Sequence, residues 1–429
     1  MTGTKVQIDC ALLTRELDQL ADFSDAEPPA VTRVLFTATD RKSRAFLKGL
    51  FTDLGLTIRE DPVGNIFARW KGTQPDLPAV CTGSHTDAIP GAGRYDGTVG
   101  VLGALEAIRG LKASGWVPQR SIEILLFTSE EPTRFGIGCL GSRLLSGSLS
   151  PDAAAILKDT AGLTLEEIRR QAGCSGSLAE VPLRPNYYAA FVELHIEQGP
   201  ILERENIPIG TVTAIAAPAA LRLHLEGEGG HAGAVLMAQR KDALCAAAEI
   251  ILGVETAAKS SGSPDTVATT GVCLVNQGAI NSIPGRVTLE IDVRDIQLES
   301  RDAAVAQICR VVEQTCGRRG IRSTVEMLNA DPPARADEEV VAAIECSCRH
   351  LGLPFQRMVS RAYHDSLFMA RLCPTGMIFI PCKNGVSHRP DEYSSPNSII
   401  KGVEVLALTL RQLSEKIEGV TIQGGSEAT

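Results

Sequence analysis

The chain has 429 residues, more than one hydrophobic core organises, so two domains are expected. Its 44% hydrophobic and 22% charged residues describe an ordinary globular composition. The formal charge of -9 and isoelectric point near 5.4 exclude nucleic acid as a principal partner, and an anionic substrate has to be met by local cations.

In chain order, the apolar stretch at 78–85, "PAVCTGSH", reads as a buried strand that delivers His85 at its end. Residues 100–115, "GVLGALEAIRGLKASG", have helical apolar spacing and stop on glycine. "SIEILLFTSEE" (121–131) and "AAFVELHIEQGP" (189–200) read as two further strands that run into polar ends. Strands alternating with helices predict an α/β fold with a mostly parallel sheet, in which ligands gather beyond the carboxyl ends of the strands.

From about residue 212 the rhythm changes. "TVTAIAAPAALRLHLEGEGGH" is a strand running into a glycine loop, and "RKDALCAAAEIILGVETAAKS" is a helix. "DTVATTGVCLV" and "RVTLEIDVRDI" are strands, and "ESRDAAVAQICRVVEQTCGRRG" is a second helix, which together make a smaller α+β unit. "NADPPARADEE" (329–339) closes it, and the first rhythm resumes with the strand "GMIFIP" (376–381). The expected organisation is a catalytic domain from 1–211 and 330–429, with a domain at 212–329 inserted into it. The tail "QGGSEAT" is expected to be disordered. Residues 1–30 are interrupted by charges and carry no apolar h-region, there is no spanning run of apolar residues, and the 12 cysteines are scattered. These features predict a cytoplasmic protein with reduced thiols.

The chemistry concentrates at strand ends. In "GSHTDAIPGAGRYDGTVG" (83–100), His85 and Asp96 stand on either side of a glycine-rich loop. His195 lies in "LHIEQGP", His388 in "VSHRPDE", and Glu130 and Glu131 are paired in "FTSEEPTRFG". Any one of these has a bland explanation: a hydrogen-bonded histidine, a helix cap at Asp96, a solvated glutamate pair. Together they suit zinc, manganese or cobalt, and a bridging carboxylate allows two ions about 3.5–4 Å apart. Asp87 is placed to hold the His85 imidazole from behind. "CSCRH" (346–350) imitates a metal motif, but on a helix Cys348 faces away from Cys346 and His350. His224 in "LRLHLEG" reads as a structural strand residue.

The stretches "GSHTDAIPGAGRYDGTVG", "FTSEEPTRFGIGCLGSR", "ELHIEQGPILE", "GGHAGAVLM", "GAINSIPG" and "GVSHRPDEYSS" occur in this order and resemble the amidase, hydantoinase and carbamoylase family of binuclear metallohydrolases. That family is of the aminoacylase and carboxypeptidase type. The resemblance implies that Asp96 bridges two ions, with His85 and His195 completing one and Glu131 and His388 the other. Glu130 is then the general base, moving a proton from water to the leaving nitrogen. His231 in "GEGGHAG" is implied to stabilise the oxyanion from the second subunit of a homodimer through the inserted, dimerising and lid-forming domain. Asn281 and Arg294 match positions that hold the substrate's amide and carboxylate, an arginine fork being the natural carboxylate partner, and Gln198, three residues past His195, can face the ureido group. Tyr363 and His364 are assigned to substrate recognition, because "SRAYHDS" stands where allantoate amidohydrolases and carbamoylases typically show "SGAGHDA". The implied activity is metal-dependent hydrolysis of a ureido C–N bond in purine and ureide catabolism, with two Mn2+ per subunit favoured and Zn2+ or Co2+ compatible. Ureidoglycolate is the favoured substrate; allantoate and N-carbamoyl-L-amino acids are the alternatives. A catalytically dead, peptidase-like binding protein predicts a lost ligand or base, yet all five ligand positions and Glu130 are present.

Overall fold

The structure, a computed structural model, describes residues 6–276 and 278–415. The tail "QGGSEAT" lies outside them. The described chain forms two compact units, one of residues 6–213, 336–358 and 364–415, the other of 214–335 and 359–363. The dividing points thus fall a few residues from the expected 211/212 and 329/330, and the short stretch 359–363 goes with the second unit.

The first unit is built on a large mixed sheet. Its centre is parallel, in the spatial order Thr375–Ile380, Tyr188–Ile196, Ala79–Ser84, Ile122–Leu126. These four strands are buried almost throughout, which explains why they read as unbroken apolar runs rather than alternating ones. Antiparallel strands extend both flanks: Ile209–Ile215 beside Thr375–Ile380, and Ile66–Trp70 then Thr57–Glu60 beyond Ile122–Leu126. The expected α/β class is found, with its parallel part confined to the strands that carry the site.

The helices Thr98–Ala113 and Pro396–Glu415 cover one face. Val99, Leu102, Leu105, Val403 and Leu406 join Val192 and Leu194 of the strand Tyr188–Ile196 in one apolar cluster. Because strand side chains alternate, Leu194 enters this cluster and His195 is left to the opposite face. Among the described residues no helix is long and apolar enough to cross a membrane. All 12 cysteines are free thiols.

The second unit is a four-stranded antiparallel sheet in the order Val267–Asn276, Arg286–Asp295, Ala217–Glu226, Arg322–Ala330. The helices Ala243–Lys259 and Leu298–Arg319 pack on it, burying Leu221, Leu223, Leu289 and Ile291 against Ala247, Ile250, Ile308 and Val312. Strict alternation along Arg286–Asp295 puts its apolar residues on this covered face.

Candidate metal centre

At the carboxyl ends of the central strands the first unit gathers a set of buried polar side chains. His85 is the first residue after Ala79–Ser84, and His195 is the penultimate residue of Tyr188–Ile196. Glu130 and Glu131 do not continue the strand expected at 121–131, which ends at Leu126. They follow a turn at Ser129, whose φ is 55°. The N–H groups of Cys139, Leu140 and Gly141 donate to the carbonyls of Glu130, Ser129 and Thr128 and pin this turn. Asp96 does not cap the following helix; the residue before Thr98 is Gly97, with φ 53°. A Cβ at Gly97 would stand 2.5 Å from His85 Nε2, so only glycine leaves the imidazole its place.

Asp96 is the centre of the constellation. Its Oδ1 lies 3.5 Å from both His85 Nε2 and His195 Nε2. Its Oδ2 lies 3.2 Å from His388 Nε2, which is in turn 3.2 Å from Glu131 Oε1. Two triads therefore share one carboxylate: His85, Asp96, His195 and Asp96, Glu131, His388. Ligand atoms about 2.0–2.1 Å from one tetrahedral ion stand about 3.3–3.4 Å apart. The spacings of 3.2–3.5 Å are compatible with donors around cations, and the imidazole and carboxylate set suits zinc, manganese or cobalt.

The electrostatics make the same point. Burial pushes the Glu130 carboxyl well above the usual range against the pull of His85, with Glu131 and Asp365 adding repulsion. Burial also raises Glu131. Hydrogen bonds to Asp96 and Glu131 push the His388 imidazole up to about 11, so the protein's own cations are drawn in to balance the acids. Gln198 donates its amide to Asp96 Oδ2 at 2.7 Å, and its Oε1 is buried with no partner. A bound divalent cation would supply positive charge to this group of acids.

Neighbouring groups orient the donors. His85 Nδ1 meets the Asp87 backbone carbonyl at 3.1 Å, closer than the Asp87 carboxylate at 3.5 Å. That carboxylate instead accepts the N–H groups of Glu130 and Glu131 at 3.1 and 3.0 Å, tying the two loops together. His195 Nδ1 meets the Ile196 carbonyl at 2.9 Å. The ring of His364 stands 4.6 Å from that of His195.

His231, Asn281, Arg294 and Tyr363 lie in the second unit. The Gly230–His231 strand pairs with Ser282–Ile283, so His231 stands opposite Ser282 and beside exposed Asn281. Arg294 is at the far end of Arg286–Asp295, where its guanidinium grips the Asp292 carboxylate at 2.8 and 3.0 Å and the Arg361 carbonyl at 3.0 Å. Tyr363 donates its phenol to Asp331 Oδ2 at 2.6 Å. His224 lies on the strand Ala217–Glu226, its Nδ1 3.1 Å from Thr288 Oγ1. In the helix Glu338–Leu351, Cys348 is buried while Cys346 and His350 are exposed.

Several polar residues around the site carried no recognised signal in the sequence. Glu193 is fully buried two residues before His195 and accepts hydroxyl hydrogen bonds from Ser84 at 2.7 Å and Ser366. Ser387 and Glu392 flank His388 in the "SHRPDE" stretch and reach Asp96 in sequence, Glu392 through Ser387. Their motif was visible, but only its histidine has an obvious chemistry.

Chemically, this arrangement can hold divalent ions beside a carboxylate that is free to move protons, which is the requirement of metal-assisted hydrolysis. Residues 77–412 match peptidase family M20/M25/M40, and the chain belongs to that family. It is a metal-dependent hydrolase. It is 53% identical over 414 residues to a ureidoglycolate hydrolase of Oryza sativa subsp. japonica, covering 95% of this chain and 85% of that one. The crystal structure of AtUAH in complex with glyoxylate superposes with a TM-score of 0.89 at 52% identity, covering 96% of this chain and 99% of the other. An amidase of the hydantoinase/carbamoylase family from Burkholderia multivorans gives a TM-score of 0.87 at 31% identity, covering 96% and 100%.

Proposed function

We propose that the chain hydrolyses the ureido C–N bond of (S)-ureidoglycolate, yielding glyoxylate, ammonia and CO2 in purine and ureide breakdown. The observation that carries this reading is the pair of triads sharing Asp96 beside Glu130, taken with the likeness to ureidoglycolate hydrolases over nearly the whole chain. His85, Asp96 and His195, and Asp96, Glu131 and His388, would hold two divalent ions, Mn2+ by preference, which would supply Lewis-acid activation of water and of the ureido carbonyl.

Glu130 accepts a proton from the attacking water and delivers it to the departing ammonia. The resulting carbamate loses CO2 to leave hydroxyglycine, which breaks down to glyoxylate and a second ammonia. Gln198, Asn281, Tyr363 and His364 orient the substrate, and Arg294 exchanges Asp292 for the substrate carboxylate. His231, supplied by the second subunit of a homodimer, stabilises the oxyanion. The enzyme works in the cytoplasm.

Ammonia release by the Mn2+-loaded protein from ureidoglycolate, allantoate and an N-carbamoyl-L-amino acid tests this reading. Rapid turnover of ureidoglycolate alone is the expected result. A preference for either of the others keeps the chemistry and replaces the substrate, while no release from any of the three overturns the reaction.

A further inference from the structure

Glu392 is buried four residues beyond His388 and reaches across the site to a loop 297 positions earlier in the chain. Its Oε1 accepts the Tyr95 N–H at 2.7 Å, and its Oε2 lies 2.8 Å from Ser387 Oγ. Ser387 Oγ is itself 2.6 Å from Asp96 Oδ2. Gln198 Nε2 lies 3.2 Å from the same hydroxyl. The glycine loop is shaped to admit this arm: a Cβ at Gly93 would stand 2.3 Å from Glu392 Cβ. Any side chain at Gly93 would therefore drive the glutamate out.

Ser387 has one hydroxyl proton and faces two carboxyl groups. Its Oγ stands within donating distance of both and accepts the Gln198 amide, so it bridges the two carboxyl groups, while Oε1 of Glu392 accepts from Tyr95.

We infer that Ser387 and Glu392 are positioning residues for the ligand carboxylate of Asp96: a hydrogen-bond relay from Glu392 through Ser387 fixes Asp96 Oδ2 and anchors the His85–Asp96 loop to the loop bearing His388. The relay rests on the metal-binding reading and is independent of which ureido acid is hydrolysed. Residues that orient metal ligands in this way are worth about 10–100-fold in metal affinity. A glutamine at 392 can donate through its amide to Ser387 and accept from Tyr95 through its carbonyl, so it preserves the relay, whereas leucine of similar size cannot.

The test is calorimetric titration of Mn2+ into the chelator-stripped full chain, with thermal midpoints in excess chelator as a control for folding. Glu392→Gln should bind Mn2+ like the wild type. Glu392→Leu and Ser387→Ala should each bind about 10–100-fold more weakly, with unchanged midpoints in chelator. Wild-type affinity in Glu392→Leu or in Ser387→Ala would overturn the relay. So would a Glu392→Gln as weak as Glu392→Leu. A wild-type chain that takes up no Mn2+ would remove the metal reading and the relay with it, whereas a failed ureidoglycolate assay with normal Mn2+ binding would overturn only the proposed substrate.

Discussion

Glu130 and Glu131 are neighbours in the chain but meet different partners. Glu131 Oε1 faces His388 at 3.2 Å, while Glu130 accepts the Cys139 thiol at 3.5 Å and stands 3.8 Å from His85 Nε2. If Glu130 moves the proton and Glu131 holds metal, Glu130→Gln lowers kcat by about 10²–10⁴-fold and leaves bound metal unchanged. Metal content and ammonia release measured on one preparation check this, and full turnover by the glutamine variant would end the assignment. His388 gives a pH prediction. Its metal-free imidazole is pushed up to about 11, above its ordinary 6.5, so it is protonated at neutral pH. A ligating nitrogen has to be neutral, so metal uptake releases that proton and apparent affinity rises with pH through the neutral range. In the metal-free chain the same proton stabilises the fold fully below pH 6.5 and is lost as pH rises through about 11. Calorimetry in buffers of different ionisation enthalpy reads the proton release, and its absence would show that His388 is not a ligand.

At the scale of single elements, apolar runs identified the four parallel strands, but not where each one stops. "SIEILLFTSEE" reads as one strand to its last residue, yet the chain leaves the sheet after Leu126. The apolar character continues through Phe127 because that residue is buried too, in a second cluster with Leu125 and Phe191. What turns the chain is the set of bonds from residues 139–141, partners no local pattern announces. The strand Tyr188–Ile196 shows how packing and site share one element. Leu194 is fully buried among the helices, and His195 next to it points to Asp96. Leu194→Ala should therefore cost about 2–5 kcal/mol in a denaturant titration and spare the metal stoichiometry at low temperature. Loss of metal with an unchanged unfolding midpoint would contradict this division of labour.

For the whole molecule, the composition excluded a strongly basic binding surface, and the acidic surplus has a counterpart in the buried carboxylates of the site. Asp96, Glu130 and Glu131 are all buried within one small volume, so the folded state without cations carries a cost that binding relieves. An ion that binds only the folded chain at a hundred times its dissociation constant adds about 2.7 kcal/mol of stability, about 3 °C or more in thermal midpoint for a chain of this length. Chelation should lower the midpoint by that amount and Mn2+ should restore it. A midpoint indifferent to both would mean that the acids are balanced without metal.

The order of strands and helices, the two-part organisation and the residue types able to hold metal were legible in the sequence, because apolar periodicity and ligand chemistry are local properties. The family resemblance added which histidine and carboxylate go together. Tertiary structure decided how that pairing is built: which oxygen of Asp96 faces which imidazole, why Gly97 and Gly93 have to lack side chains, and how Glu392 comes to lie beside Tyr95. It also placed Tyr363 on Asp331, a contact that spacing along the chain does not reveal, whereas the pairing of Arg294 with Asp292 two residues earlier on one strand was legible. The reason is physical: a site at the ends of parallel strands is assembled from loops far apart in sequence. The partners that orient its ligands are chosen by distance in space, which a one-dimensional pattern does not record.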